Sequence, residues 1–145
     1  MLEVRIATRA DVSTVFDIRL AVRENTLSDP SRITHDDYFR EIEVTGRGWV
    51  ALIDGAIRGF SVGRRTDANI WALFVHPDYE GRGLGRAVHD PMIAWLFAQG
   101  CSPLWLTTTP GTRAEAFYRR AGWRDAGSSP SGEIRMELTQ GDWRQ

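Results

Sequence analysis

The feature that most constrains this chain is the stretch Ile70 to Arg86, IWALFVHPDYEGRGLGR. Its first six residues are all apolar. A strand read through them places Ile70, Ala72 and Phe74 on one side and Trp71, Leu73 and Val75 on the other. A strand without a polar face is covered on both sides, so this one is expected at the centre of a sheet. Pro77 cannot extend the ladder and restricts His76 before it, which ends the strand. Gly81, Gly83 and Gly85 then alternate with Arg82, Leu84 and Arg86 and run into a helical pattern. Glycine lets backbone N–H groups approach a ligand closely, and the start of a helix favours anions. The pattern describes a strand that delivers a phosphate group to a helix N-terminus.

The rest of the chain narrows what surrounds that unit. Its 145 residues suit one domain, expected to span residues 1–145, with 42% apolar and 26% charged residues. A formal net charge of −1 gives no basic footprint for nucleic acid. One cysteine, Cys101, excludes an intrachain disulfide and fits a reducing, cytoplasmic setting. Charges occupy the N-terminus where a signal peptide needs an apolar run, and no stretch has the roughly 18 apolar residues of a membrane helix. No membrane partner is expected. His35, His89 and Cys101 lack metal-ligand spacing, so no metal site is expected.

In chain order, Leu2, Val4 and Ile6 alternate with charges as a half-buried strand. Thr8 and Asp11 open a helix carrying Val12, Val15, Phe16, Arg19 and Val22 at helical spacing, ending near Asn25. A loop reaches Ile33, and Thr34 caps a second helix with Tyr38, Phe39 and Ile42 on its apolar side. Trp49 to Ile53 and Ala56 to Val62 form a hairpin about Asp54-Gly55. After the central strand a helix runs from about Leu84 to Gln99, with Pro91 expected to kink it or loosen a turn near Ala87. A short strand at Leu104 to Thr108, a helix at Thr112 to Ala121, a strand opened by Gly122 and Trp123, and a last strand at Glu133 to Thr139 complete the chain.

Glu80-Gly81-Arg82-Gly83-Leu84-Gly85, following its strand, resembles the acyl-CoA motif of the GCN5-related N-acetyltransferases, (Gln/Arg)-x-x-Gly-x-(Gly/Ala). Glu80 stands where Gln or Arg is usual, and its side chain is expected to point away from the pyrophosphate. The order of elements resembles the same family over nearly the whole length. The resemblance implies an α/β (α+β) three-layer fold, with a central mixed, mostly antiparallel sheet of six to seven strands and about four flanking helices. It implies an acyl-CoA-dependent N-acetyltransferase that moves the acetyl group of acetyl-CoA, a co-substrate, to a small-molecule or peptide primary amine by direct attack on the thioester. It also implies a homodimer, paired through a sheet edge that the Glu133 to Thr139 strand would offer.

Site residues follow from the same resemblance. Backbone groups of Leu73, Phe74 and Val75 would pair with the pantetheine arm. Glu80, Gly81, Arg82, Gly83, Leu84, Gly85 and Arg86 would hold the pyrophosphate. Tyr118, in the Phe117-Tyr118 pair ahead of Gly122-Trp123, would protonate the departing sulfur, since a phenol of ordinary pKa about 10 can serve a thiolate in a dry pocket. A family asparagine seven positions earlier is Gly111 here, with Thr112 as a substitute contact. The base is open between Glu24, His76 and a water chain. Tyr118 also reads as core packing, Glu24 as a solvated helix-end charge, and Trp71, Trp105 and Trp123 as either core or acceptor pocket.

Two competing folds are excluded. Dinucleotide folds want Gly-x-Gly-x-x-Gly after a first strand, nucleotide-triphosphate folds want Gly-Lys-Ser/Thr, and this chain has no lysine. A non-catalytic acyl-CoA-binding or regulatory module on the same fold remains the alternative to an enzyme. Acceptor choice would fall to the loop Asn25 to Ile33, the second helix and the Gly63 to Ala68 turn.

Overall fold

The structure, a computed structural model, describes residues 1–24 and 32–143. Among these residues seven strands form one sheet: β1 (Leu2–Ile6), β2 (Gly46–Ile53), β3 (Ala56–Arg64), β4 (Asn69–Val75), β5 (Leu104–Thr108), β6 (Arg124–Ser128) and β7 (Ile134–Leu138). Five α-helices accompany them: α1 (Val12–Ala21), α2 (His35–Arg40), α3 (Leu84–Ala98), α4 (Arg113–Arg120) and α5 (Gln140–Trp143). The strand order is β1-β2-β3-β4-β5-β7-β6, antiparallel throughout except for β4 and β5. The mixed, mostly antiparallel three-layer fold expected from the sequence is the one observed.

Local chemistry accounts for several element ends. The Thr34 hydroxyl accepts from Asp37 N–H at 3.2 Å while the Asp37 carboxylate accepts from Thr34 N–H at 2.8 Å, so α2 starts with a reciprocal cap. Thr112 caps α4 from one side only, its hydroxyl accepting from Glu115 N–H at 3.3 Å. Asp54 and Gly55, at φ 50° and 85°, turn the β2–β3 hairpin. The short helix α5 carries no strong sequence signal and went unforeseen.

Each face of the sheet has its own core. On one side α3 buries Leu84, Val88, Met92, Ile93 and Leu96 against Trp49, Ile70, Leu104, Leu106, Tyr118 and Trp123. On the other, Val12, Val15 and Ile18 of α1 and Tyr38 of α2 pack on Val50, Phe60, Val62 and Ala72. α3 runs unbroken through Pro91, and the buried Ser61 hydroxyl donates to the Val88 carbonyl one turn earlier at 2.7 Å. That bond ties α3 to β3 one residue past Ala87, whose carbonyl Pro91 leaves without its helical partner.

Several expectations need correction. Val62 pairs with Ala72 and Gly63 with Ile70, so Trp71 is an extra, bulged residue. The simple alternation along Ile70 to Val75 therefore breaks. Ile70, Leu73 and Val75 face the α3 core, while Trp71, Ala72 and Phe74 face α1 and α2. α1 ends at Ala21, because Val22 is already extended. β1 is exposed along its length rather than half-buried, with Leu2, Val4 and Ile6 at 39%, 39% and 49% exposure, because it is an edge strand paired only with β2. β7 lies between β5 and β6 and offers no free edge; β6 is the edge on that side. Among the described residues no helix is long and apolar enough to cross a membrane, and no group of three His, Cys, Asp or Glu residues is placed to hold a metal.

Candidate active site

The site arises where two parallel strands part. β4 and β5 share one register pair, Asn69 with Trp105. There the Asn69 amide donates to the Trp105 carbonyl at 3.2 Å, the Trp105 N–H donates to Ala68 at 3.0 Å, and its indole N–H donates to the Asp67 carbonyl at 2.8 Å. Beyond that pinned end the two strands are not paired, and two cavities occupy the gap.

The first cavity, about 750 Å³, lies between the C-terminal half of β4, the turn into α3, and α4. Leu73, Phe74, Val75, Glu80, Gly81, Gly83, Leu84, Gly85 and Arg86 line it, which gathers nearly all the residues expected to hold a cofactor. His76 N–H donates to Arg58 at 2.7 Å, and alternation along the strand turns the backbone of Phe74 toward Phe60. The N–H and C=O groups of Leu73 and Val75 consequently face the gap. A pantetheine-like chain would therefore pair with Leu73 and Val75, not with Phe74.

The glycines divide their work. Gly81 and Gly83 have φ +77° and +83°, and a methyl group on either would meet nothing within 4 Å, so both leave backbone open to the cavity. Gly83 is also the residue before α3. Gly85 also lines the cavity and serves packing besides, since a Cβ there would sit 3.3 Å from the Phe117 ring. Arg23, Arg86, Arg113 and Arg120 surround the cavity, a cationic rim suited to phosphates. Arg82 lies 5.0 Å over the Tyr79 ring at the edge and does not line the cavity.

Glu80 lines the cavity, and its carboxylate lies 3.2 Å from the Arg113 guanidinium, which neutralises it. Glu24 also lines this cavity, and its Oε1 accepts from Arg113 N–H at 3.0 Å, bracing the segment after α1 against α4. Thr112 lines neither cavity; its hydroxyl donates to Thr109 at 2.8 Å and caps α4. Gly111, at the family's asparagine position, donates its N–H to Glu115 at 2.8 Å. The His76 ring accepts from Asp78 N–H at 3.1 Å, holding the turn after β4.

The second cavity, about 440 Å³, is lined by Arg19, Trp71, Thr107, Thr108, Tyr118 and Glu133 among others. It shares Leu73, Phe74 and Ala114 with the first. The two cavities therefore meet beside the unpaired strand edge. Tyr118 is 7% exposed, and burial raises its phenol above the ordinary value, so it stays protonated at neutral pH. Arg19 and Glu133 were not singled out from the sequence. Arg19 did leave a signal, a charge on the apolar stripe of α1. Glu133 left none, because its place depends on how β7 returns beside β5.

The other tryptophans are structural. Trp123 is 3% exposed and its indole donates to Nε2 of His89 at 3.1 Å, while His89 Nδ1 lies 2.8 Å from Asp90 Oδ1. An indole only donates, so Nε2 is unprotonated and Nδ1 carries the hydrogen. Most of the loop Asn25 to Ile33 (25–31) lies outside the described residues.

Solved structures share this architecture. PaiA N-acetyltransferase from Thermoplasma acidophilum, in complex with coenzyme A, aligns with TM-score 0.83 and 14% identity over 96% of this chain and 99% of that one. YncA, a putative acetyltransferase from Salmonella typhimurium with acetyl-CoA, aligns at 0.78 and 16% identity over 96% and 94%. Ribosomal-protein-alanine N-acetyltransferase from Brucella melitensis aligns at 0.73 and 19% over 94% and 99%. No curated protein sequence matches the chain. The family model described as Acetyltransferase (GNAT) family matches residues 13–123, from α1 through the Gly122-Trp123 pair and across both cavities. By that match, and with the strand gap and glycine turn already in place, the chain belongs to the GNAT acetyltransferase family.

Proposed function

We propose that this protein transfers the acetyl group of acetyl-CoA to a primary amine by direct attack. The observation that carries the reading is the junction of the two cavities. A glycine-lined, arginine-rimmed cavity meets a second one at Leu73 and Phe74, so donor and acceptor can meet there from separate cavities. The residues present fit coenzyme A: open backbone at Gly81 and Gly83 and the start of α3 suit a pyrophosphate, and the free edge at Leu73 and Val75 suits an amide-bearing arm.

In this reading coenzyme A supplies an activated acyl group. A backbone N–H of the β4 edge polarises the acyl oxygen. The amine lone pair forms the C–N bond, the C–S bond breaks, and the electron pair leaves on sulfur. Tyr118 gives sulfur its proton and is reprotonated from solvent. Burial keeps the phenol protonated, and the same dry surroundings disfavour a free thiolate, so the proton passes to sulfur as the C–S bond breaks. The ammonium proton is lost before attack, with Glu24 as the proposed acceptor through Oε2, because Oε1 is engaged by Arg113. A net proton is released with each turnover.

A binding module without turnover is the second reading. Tyr118 at the wall of the second cavity favours the enzyme. Calorimetry with acetyl-CoA, combined with thiol release in the presence of an amine panel, tests both. Acetyl-CoA binding with amine-dependent release is expected. Binding without release for any amine would leave the module, and absence of binding would remove both.

A further inference from the structure

The second cavity holds a charge that no described residue compensates. Arg19 lines its wall, and the guanidinium stacks on the Phe74 ring at 4.2 Å. Nη1 of Arg19 is buried without a hydrogen-bond partner, and no carboxylate pairs with the side chain among the described residues. Most other arginines in this fold are paired: Arg5 with Asp11, Arg64 with Glu41 and Asp67, Arg86 with Asp90, Arg113 with Glu80. Burial lowers the basicity of Arg19, and the ionisable neighbour opposing that shift is the Tyr38 phenol, which is neutral. A half-buried cation without a counter-ion costs stability, and a chain tolerates it where a ligand supplies the missing charge.

Position narrows the ligand further. Phe74, on which the guanidinium lies, belongs to both cavities. An anion held by Arg19 therefore sits close to the junction where the amine must attack. Glu133, the one carboxylate on this cavity's wall among the described residues, forms no ion pair there.

Resting on the acetyl-transfer reading above, we propose that the acceptor is an aminocarboxylate, a free amino acid whose carboxylate pairs with Arg19 while its amine lies at the Leu73–Phe74 junction. The remainder of the molecule extends past Trp71, Thr107 and Thr108, and Glu133 favours a neutral or basic side chain over an acidic one. A peptide N-terminus has its neighbouring carboxylate converted to an amide, and a polyamine brings only positive charge toward Arg19. Both are disfavoured by the same geometry.

The test pairs each L-amino acid with its own amide, which keeps the amine and side chain but removes the charge. Thiol release is measured with acetyl-CoA, alongside short peptides and putrescine. At least one neutral or basic amino acid should exceed its amide in kcat/KM by about 10- to 100-fold, the worth of one charge-assisted pair. Arg19→Gln should erase that ratio, and Arg19→Met should do the same, with acetyl-CoA affinity by calorimetry within about twofold of the parent in both. Amides, peptides or putrescine turning over as well as the free acids would overturn the carboxylate inference while leaving acetyl transfer intact. So would acetyl-CoA binding with no amino acid either turned over or bound. Loss of acetyl-CoA binding in the parent protein would strike the underlying function instead.

Discussion

The side-chain amide of Asn69 donates to the carbonyl of Trp105 at 3.2 Å, at the single position where β4 and β5 are in register. Asn69 is 6% exposed and its Oδ1 also accepts from Arg64 at 3.2 Å, while Arg64 pairs with the buried Glu41 at 2.8 Å. A chain of charge-assisted bonds thus fixes the closed end of the gap in which both cavities lie. The open end needs no lock, because the two strands simply have no further pairing to make.

Asn69→Ala removes both bonds of that side chain. Stability should fall by about 1–3 kcal/mol, since a buried carbonyl and a guanidinium each lose a partner. The melting temperature should drop by roughly 3–10 °C, and the KM for acetyl-CoA should rise as the strand gap loses its fixed width. An unchanged melt would show that the backbone bond of Trp105 to Ala68 suffices.

Gly83→Ala places a methyl group into open space at the start of α3, at φ +83°. Gly55 has the same character at φ +85°, on the β2–β3 turn away from both cavities. Each substitution should cost about 1–2 kcal/mol of backbone strain. Only the Gly83 variant should weaken acetyl-CoA binding, by about tenfold or more, because only there does a ligand need the space. Equal affinities for the two variants would remove this turn as the phosphate cradle.

Tyr118→Phe keeps the ring among His89, Phe117 and Trp123 and deletes the hydroxyl. As the proposed acid, its loss should lower kcat by roughly 10²- to 10⁴-fold with little change in KM. The melting temperature should stay close to the parent's, since among the described residues the hydroxyl has no hydrogen-bond partner to lose. Retention of most of kcat with a good acceptor would assign the proton to solvent.

His89 is fully buried, and burial holds its pKa below the usual histidine value, against the opposing pull of Asp90. The folded state thus binds the proton less readily than the unfolded chain, whose histidine titrates near pH 6.5. The stability from a neutral His89 is complete above about pH 6.5 and is lost as pH falls below it toward the folded pKa. Melting temperatures between about pH 5 and 7 should decline on acidification in the parent. In His89→Gln, whose amide oxygen can still accept from Trp123, that part of the slope should flatten. An unchanged slope would place the titration elsewhere.

Much of this protein was legible in its residues in order. The apolar run Ile70 to Val75, the break at Pro77 and the glycines at 81, 83 and 85 determined a strand, a turn and a helix start, because each acts through its own backbone and nearest neighbours. Caps at Thr34 and Thr112 and the turn at Asp54-Gly55 were readable for the same reason. What only the tertiary structure decided depends on residues far apart in the chain. The bulge at Trp71 follows from how β4 meets β3, and it turns Trp71 toward the second cavity. Gly85 was readable as a glycine of the motif, but its service to Phe117 required the packing of α3 on α4. Arg19 stood in the sequence as a charge on an apolar stripe; that its charge has no counter-ion among the described residues, and that it borders the same cavity as Glu133 more than a hundred residues later, is a property of the assembled sheet. Local propensities act over a few residues, whereas burial and charge compensation are set by whatever the fold brings alongside.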